Sequence, residues 1–456
     1  MCSPQSAPSP STEPGFGLTA FLVAVATALV AAQQAEVVPP AGESFDAGHY
    51  AVTLDLDVAA GGITGKERVE LTVRQATASL VFDSGALIVD SVENAGAGGG
   101  VLPFVQRARH LIVTLPSEAP AGERRALDIT YHGAPRTGLT QLAARAQAYT
   151  AFSTSQWMVA VDAPSDRATL DLEVAVPAGW KAAGNGRQGS MEARPGRTSY
   201  RWRQDREVPS FLFGFVAGAF TEAGDTHGAV ALTYLGAPFS ADELRRIFRE
   251  TPAMMTFFEE RSGLPYPGDR YTQALVAVSG GQELAGLSHM SEAYGRAVLA
   301  DATATGLIAH ELAHQWWGDL VTNRDWTHFW LNEGFATFMA TAYKERARGR
   351  EAYLADVDGW RRRVEQLRAA GHDRPLVFPD WNRPTADDRA VVYQKGALAL
   401  HELRELLGDT AFWTAVRAYT KAHAGQSVTS LDLQRAIEAS TGRDLRAFFD
   451  EWVRPR

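Results

Sequence analysis

The chain has 456 residues, 45% of them hydrophobic and 21% charged, a composition that allows a sizeable core and a length that suggests two or three domains. A net charge of −9 without any dense basic stretch excludes the electrostatic footprint that nucleic acid requires, so no nucleic-acid partner is expected. The single cysteine, Cys2, excludes both a disulfide framework and a thiolate metal site in the body of the chain, so any metal must use histidine and carboxylate.

Residues 1–36 read as a signal peptide and N-terminal tail. The apolar run Leu18–Ala32, "LTAFLVAVATALVAA", ends in small residues and resembles a leader cleaved near Ala32, which points to export to the periplasm or the extracellular space, although no Lys or Arg precedes it. Its fifteen residues fall short of the roughly 20 that a spanning helix needs, so no stable membrane span is expected.

Residues 37–235 read as a β-rich domain. Val52, Leu54, Leu56 and Val58 alternate with Thr53, Asp55 and Asp57, and Leu170, Leu172, Val174 and Val176 repeat the pattern, as in antiparallel strands with one buried face. Beyond a boundary near Gly236 the texture becomes helical. Ser240 is placed as an N-cap, with Leu244, Ile247 and Phe248 on one helix face. A strand-like interruption, "YTQALVAVSGGQEL", precedes further helices, so residues 236–456 read as a mainly helical domain with one small sheet. The expected class is multidomain α+β.

The chemistry concentrates in "HELAHQWWGDLV", residues 310–321. On a helix, positions i and i+4 point the same way, so His310 and His314 can present two imidazoles to one ion, with Glu311 beside them. With histidine at 11 of 456 positions, this pattern alone is only suggestive, and two surface histidines would produce it equally. Glu333 lies at the start of the next helical stretch, "WLNEGFATFMATAYKERARG", with eighteen residues between it and His314, enough for a second helix to turn back and offer a carboxylate. Two His and one Glu leave a tetrahedral Zn²⁺ one open position, as hydrolytic sites require, and Glu311 is placed as general base and acid.

The stretch "HELAHQWWGDLVTNRDWTHFWLNEGFATFM", residues 310–339, resembles the zinc signature of the aminopeptidase N family of zinc metallopeptidases, the gluzincins that include the leukotriene hydrolases. The stretches "SFLFGFVAGAF", "FFEERSGLPYP", "GGQEL" and "VYQKGALAL" fall in the family's order around it. The resemblance implies a saddle-like β domain in front of a thermolysin-like catalytic domain, one zinc per chain on His310, His314 and Glu333, and peptide substrates. It implies that Tyr393, in "YQKG", donates a hydrogen bond to the oxyanion. It also implies that Gly280, Gly281, Gln282 and Glu283 form the substrate-pairing strand, with the Glu283 carboxylate on the substrate's free amine. Here Gln282 and Leu284 stand where the family carries Met and Asn. The family's second amine-binding side chain falls in "TAFSTSQW", residues 150–157, where Ser153 or Gln156 would stand in for it. The chain ends at "LRAFFDEWVRPR", where the catalytic domain would end, so an uncovered cleft without the family's C-terminal helical domain is expected. The expected activity is that of an aminopeptidase. The alternatives are an open-cleft metallo-endopeptidase or dipeptidase, and a catalytically inactive peptide-binding scaffold.

Overall fold

The computed structural model describes residues 38–454 apart from 96–98, 278–279, 379–380 and 382–383. The leader expected over residues 1–36 lies outside the described residues. Val52, Leu54 and Leu56 are at most 2% exposed, whereas Thr53, Asp55 and Asp57 face solvent, so the period-2 pattern does mark one buried face. These residues lie on the strand Phe45–Asp57, inside a seven-stranded sheet that also contains Gly62–Val73, Arg124–Gly133 and Arg167–Pro177. Phe45–Asp57 runs parallel to Arg167–Pro177, an exception to the expected antiparallel order. Smaller three- and four-stranded sheets complete the β-rich half and close its apolar core.

Ser240 caps the helix Ala241–Ile247 in a capping box with Glu243, and Leu244, Ile247 and Phe248 are fully buried, as the sequence suggests. The strands just before it, Thr221–His227 and Val230–Gly236, carry the alternation of the β-rich half but belong to another sheet. Val230–Gly236 pairs in parallel with Arg270–Val276, which pairs with Leu287–Ser291, and the short strand Gly281–Leu284 forms the far edge. Residues 221–236 therefore pack with the helical half through a sheet of five strands. From Pro39 onward the chain forms one compact unit.

Two helices position the candidate metal ligands. The helix Gly306–Ala313 carries His310 and Glu311, and His314 continues it as the C-cap, its N–H donating to the His310 carbonyl at 3.3 Å. The long helix Trp330–Arg348 places Glu333 in its first turn, where a carboxylate is favoured by the helix dipole. Gly334 lets this helix approach the helix Gly396–Leu407 closely: a Cβ on Gly334 would lie 3.0 Å from the Gly396 Cα. That close crossing brings the π-helical turn Val391–Lys395, with Tyr393, alongside Glu333.

Candidate metal and peptide site

His310, His314 and Glu333 converge so that their ligand atoms all lie within 4.8 Å of one another. His310 Nε2 is 3.1 Å from both His314 Nε2 and Glu333 Oε2, and His314 Nε2 is 3.5 Å from the same oxygen. Ligands about 2.0–2.1 Å from a tetrahedral zinc stand roughly 3.3 Å from each other, so these separations fit one ion at their centre. The His314 Nδ1–H donates to the Trp317 carbonyl at 3.1 Å, which fixes the tautomer that leaves Nε2 free as a ligand. Against the effect of burial, His310 and His314 hold the Glu333 carboxyl well below the usual range, so it stays an anion. The donor set fits zinc: three nitrogen and oxygen ligands from two rigid helices, with no sulfur.

Glu311 sits beside this cluster, 4% exposed. Burial pushes its carboxyl well above the usual range, opposed by His314 and reinforced by Glu283 and Glu333. The approach of the edge strand to Glu311 explains its glycines. A Cβ on Gly281 would fall 2.0 Å from Glu311 Oε1, and Gly280, at φ +91°, occupies the left-handed region. A side chain at Gly281 would displace the base.

On that strand Glu283 is 2% exposed, and burial lifts its carboxyl to about 7, against the pull of His314 and with the help of Glu333. Its Oε2 accepts from Gln282 Nε2 at 2.7 Å, whereas its buried Oε1 has no hydrogen-bond partner among the described residues. An orphaned buried carboxylate oxygen of this kind is costly unless a donor arrives. Gln282 itself is 1% exposed and does not line the cleft, so its side chain acts through Glu283.

Tyr393 lies with its ring parallel to His310, at 5.9 Å between centroids and 10° between planes. Burial, and then the Glu333 carboxylate, raise its hydroxyl far above the usual phenol value, so it remains a donor. Of the two candidates in "TAFSTSQW", Ser153 lines the cleft. Gln156 is buried against Gly85 and Gly138 instead. Phe152 and Ser153 both sit at positive φ, 46° and 44°, so the cleft rim is held in a backbone conformation that non-glycine residues rarely adopt.

His310, His314, Glu333, Glu311, Glu283 and Tyr393 all line one cleft of about 850 Å³. Sequence reasoning missed its aromatic wall. Phe211 from the β-rich half packs on Trp326 at 5.0 Å, Trp326 on Phe329 at 5.3 Å, and Phe329 on Trp381 at 5.4 Å. Its signal was present in "DWTHFW", where the aromatics stand between the two ligand helices. Asp162 and Arg389, which also line the cleft, were missed as well.

A β-rich half, a helical half and a two-His, one-Glu cluster beside a buried glutamate together describe a two-domain metallopeptidase. Residues 46–212 match the peptidase M1 N-terminal domain and residues 247–452 match the peptidase family M1 domain, and the chain belongs to this family. It is 29% identical over 308 residues to aminopeptidase N of Streptomyces lividans, covering 64% of this chain and 35% of that one. It is 27% identical over 429 residues to leukotriene A-4 hydrolase of Xenopus laevis, covering 87% and 68%. Among solved structures, a variant M1 zinc metallopeptidase from Deinococcus radiodurans bound to a Tyr-Ser-Ala substrate superposes with a TM-score of 0.76 at 27% identity, covering 91% of this chain and 96% of that one. The chain spans between about a third and a half of the length of the first aminopeptidases it matches.

Proposed function

We propose that this protein is an exported zinc aminopeptidase that removes N-terminal residues from peptides. The observation that carries this reading is the buried, unpartnered Glu283 Oε1 in the same cleft as the His310–His314–Glu333 cluster. A substrate ammonium supplies the missing donor and restores the charge of a carboxyl that burial otherwise tends to neutralise. The strand Gly281–Leu284 is the edge of its sheet, along which an extended peptide can lie.

Zinc bound by His310, His314 and Glu333 would act as a Lewis acid toward the scissile carbonyl and make water acidic enough to ionise near neutral pH. Glu311 takes the proton of the attacking water on its carboxylate and returns it to the leaving amine nitrogen. The Tyr393 hydroxyl donates to the oxyanion of the tetrahedral intermediate, and a preorganised donor of this type contributes roughly 3 kcal/mol to catalysis. The Phe211–Trp326–Phe329–Trp381 wall favours substrates with apolar or aromatic side chains.

Ser153, which is uncharged, stands where the family carries a second amine-binding group, so Glu283 bears most of the amine preference. Matched peptides with free and N-acetylated termini, assayed with and without a chelator, test the reading. Glu283→Ala should lower kcat/KM on free-amine peptides about tenfold or more, and barely change the rate on acetylated ones. Equal cleavage of both peptides by the unmutated protein would replace the aminopeptidase with an endopeptidase. Export rests on the run Leu18–Ala32 and is tested by the mass of the protein recovered outside the cytoplasm, which should lack about the first 32 residues.

A further inference from the structure

Of the acidic groups of the cleft, Glu333, Glu311 and Glu283 are accounted for by the metal, the base and the substrate amine, but one cation facing it has no role so far. Arg389 lines the cleft from the short helix Ala386–Ala390, four residues before Tyr393. Arg389 from this helix and Tyr393 from the π-helical turn that continues it both line the cleft.

Its neighbours on the helix are already paired. Asp387 binds Arg363 and His372. Asp388 accepts from the Thr385 N–H at 2.8 Å and lies 2.7 Å from Arg374. Arg389 makes no ion pair and no side-chain hydrogen bond among the described residues, and it is solvent-exposed. Asp162 is engaged by Ser155 and Ser210. Arg389 therefore lines a peptide-sized cleft with a fork of donors that no described residue engages.

We propose that Arg389 binds the free C-terminal carboxylate of a short peptide, so that the enzyme prefers di- and tripeptides with an unblocked C-terminus. This rests on the aminopeptidase reading. An extended peptide advances about 3.3 Å per residue, so the carboxylate of a dipeptide or tripeptide lies only about 3–7 Å beyond the scissile carbonyl. That span is comparable to the one helical turn separating Arg389 from the oxyanion donor. A planar guanidinium meets a carboxylate with two parallel hydrogen bonds, a geometry lysine cannot reproduce. A cleft of about 850 Å³ lies within the roughly 300–1,000 Å³ typical of sites for small ligands.

The test compares Leu-Gly-Gly with its C-terminal amide, using the full-length protein and its Arg389→Gln and Arg389→Lys variants. The readout is the acid-to-amide ratio of kcat/KM, which is insensitive to a general loss of folded enzyme. The unmutated protein should show a ratio of about ten or more, carried mainly by KM, because a contact remote from the reacting bond binds ground state and transition state alike. Arg389→Gln should bring the ratio near one, and Arg389→Lys should give an intermediate value. A ratio near one in the unmutated protein, or a ratio that Arg389→Gln leaves in place, would overturn the proposal. The ratio for free against N-acetylated peptides is a separate measurement. Its collapse would remove the aminopeptidase reading, and this proposal with it.

Discussion

At the scale of single residues, ligand and base should separate cleanly although Glu311 and Glu333 line one cleft. Glu333→Ala leaves two imidazoles to hold an ion by themselves, and the variant should lose most of its zinc on purification. Glu311→Gln removes the proton acceptor without touching a ligand atom, so it should keep its zinc and its fold and lose turnover by a factor of about a hundred or more. Metal content and kcat measured on both variants check this, and full zinc in Glu333→Ala would remove that residue from the ligand set. These residues were legible because helical spacing fixes direction: once His310 and His314 share a face, the ion's position follows, and a carboxylate at the next helix start can reach it. The role proposed for Glu283 comes from the family resemblance and not from local spacing. The "DWTHFW" run holds two of the wall's aromatics, but which way they and Arg389 face was not legible, because nothing in local spacing says which side chains from a loop and a short helix turn inward.

At the scale of elements, alternation identified strands correctly but could not say which sheet each would join. Thr221–Gly236 reads like the rest of the β-rich half, yet its hydrogen bonds go to Arg270–Val276, a pairing set by distant chain. The parallel pair Phe45–Asp57 and Arg167–Pro177 was hidden for the same reason. Just before that second strand lies Asp166, 4% exposed, which accepts from the Ala47 N–H at 3.4 Å. Burial and then Asp46 lift its carboxyl to about 7, against the Ala47 N–H and Arg74. In the unfolded chain the same group titrates near its ordinary value of about 3.9, so the folded protein holds an extra proton between about pH 4 and pH 7. The stability this contributes is complete below about pH 4 and is lost as pH rises toward 7. Asparagine is neutral throughout and keeps an acceptor oxygen for Ala47. The stability of Asp166→Asn relative to the unmutated protein should therefore rise between pH 5 and pH 8. Denaturant melts of both proteins at the two pH values read this directly, and a difference that does not change with pH would count against it.

At the scale of the whole molecule, the cleft is shaped by both halves, Phe211 and Ser153 from the β-rich side and the ligand helices from the other, so function depends on how firmly the halves are joined. Arg167 is the joint that reaches closest to the HELAH stretch. From the start of its strand in the seven-stranded sheet, its guanidinium donates to Thr322 Oγ1 at 2.8 Å and to the Asp319 carbonyl at 3.1 Å, both in the segment that follows His314. It also holds the Glu207 carbonyl at 3.1 Å, within its own half. Burying this cation has a cost, visible in the lowering of its pKa to about 10, chiefly by desolvation and then by Arg206. Three hydrogen bonds from one charged group offset that cost, each contributing about 1.5–3 kcal/mol before desolvation is charged against it. Arg167→Ala abolishes all three and removes the Arg167 donor from Thr322 Oγ1 and the Glu207 carbonyl, while the Asp319 carbonyl keeps the Thr322 hydroxyl at 3.2 Å, so it should destabilise the protein by about 2–4 kcal/mol. Arg167→Lys keeps the charge but not the fork, and should recover only part of the loss. Because Asp319 follows the zinc helix by five residues, the loosened joint should also raise KM for peptides more than it lowers kcat, while zinc content stays at one per chain. Denaturant melts, metal analysis and steady-state kinetics on the two variants separate these effects. Unchanged stability in Arg167→Ala would mean that the two halves are held by their apolar contacts alone.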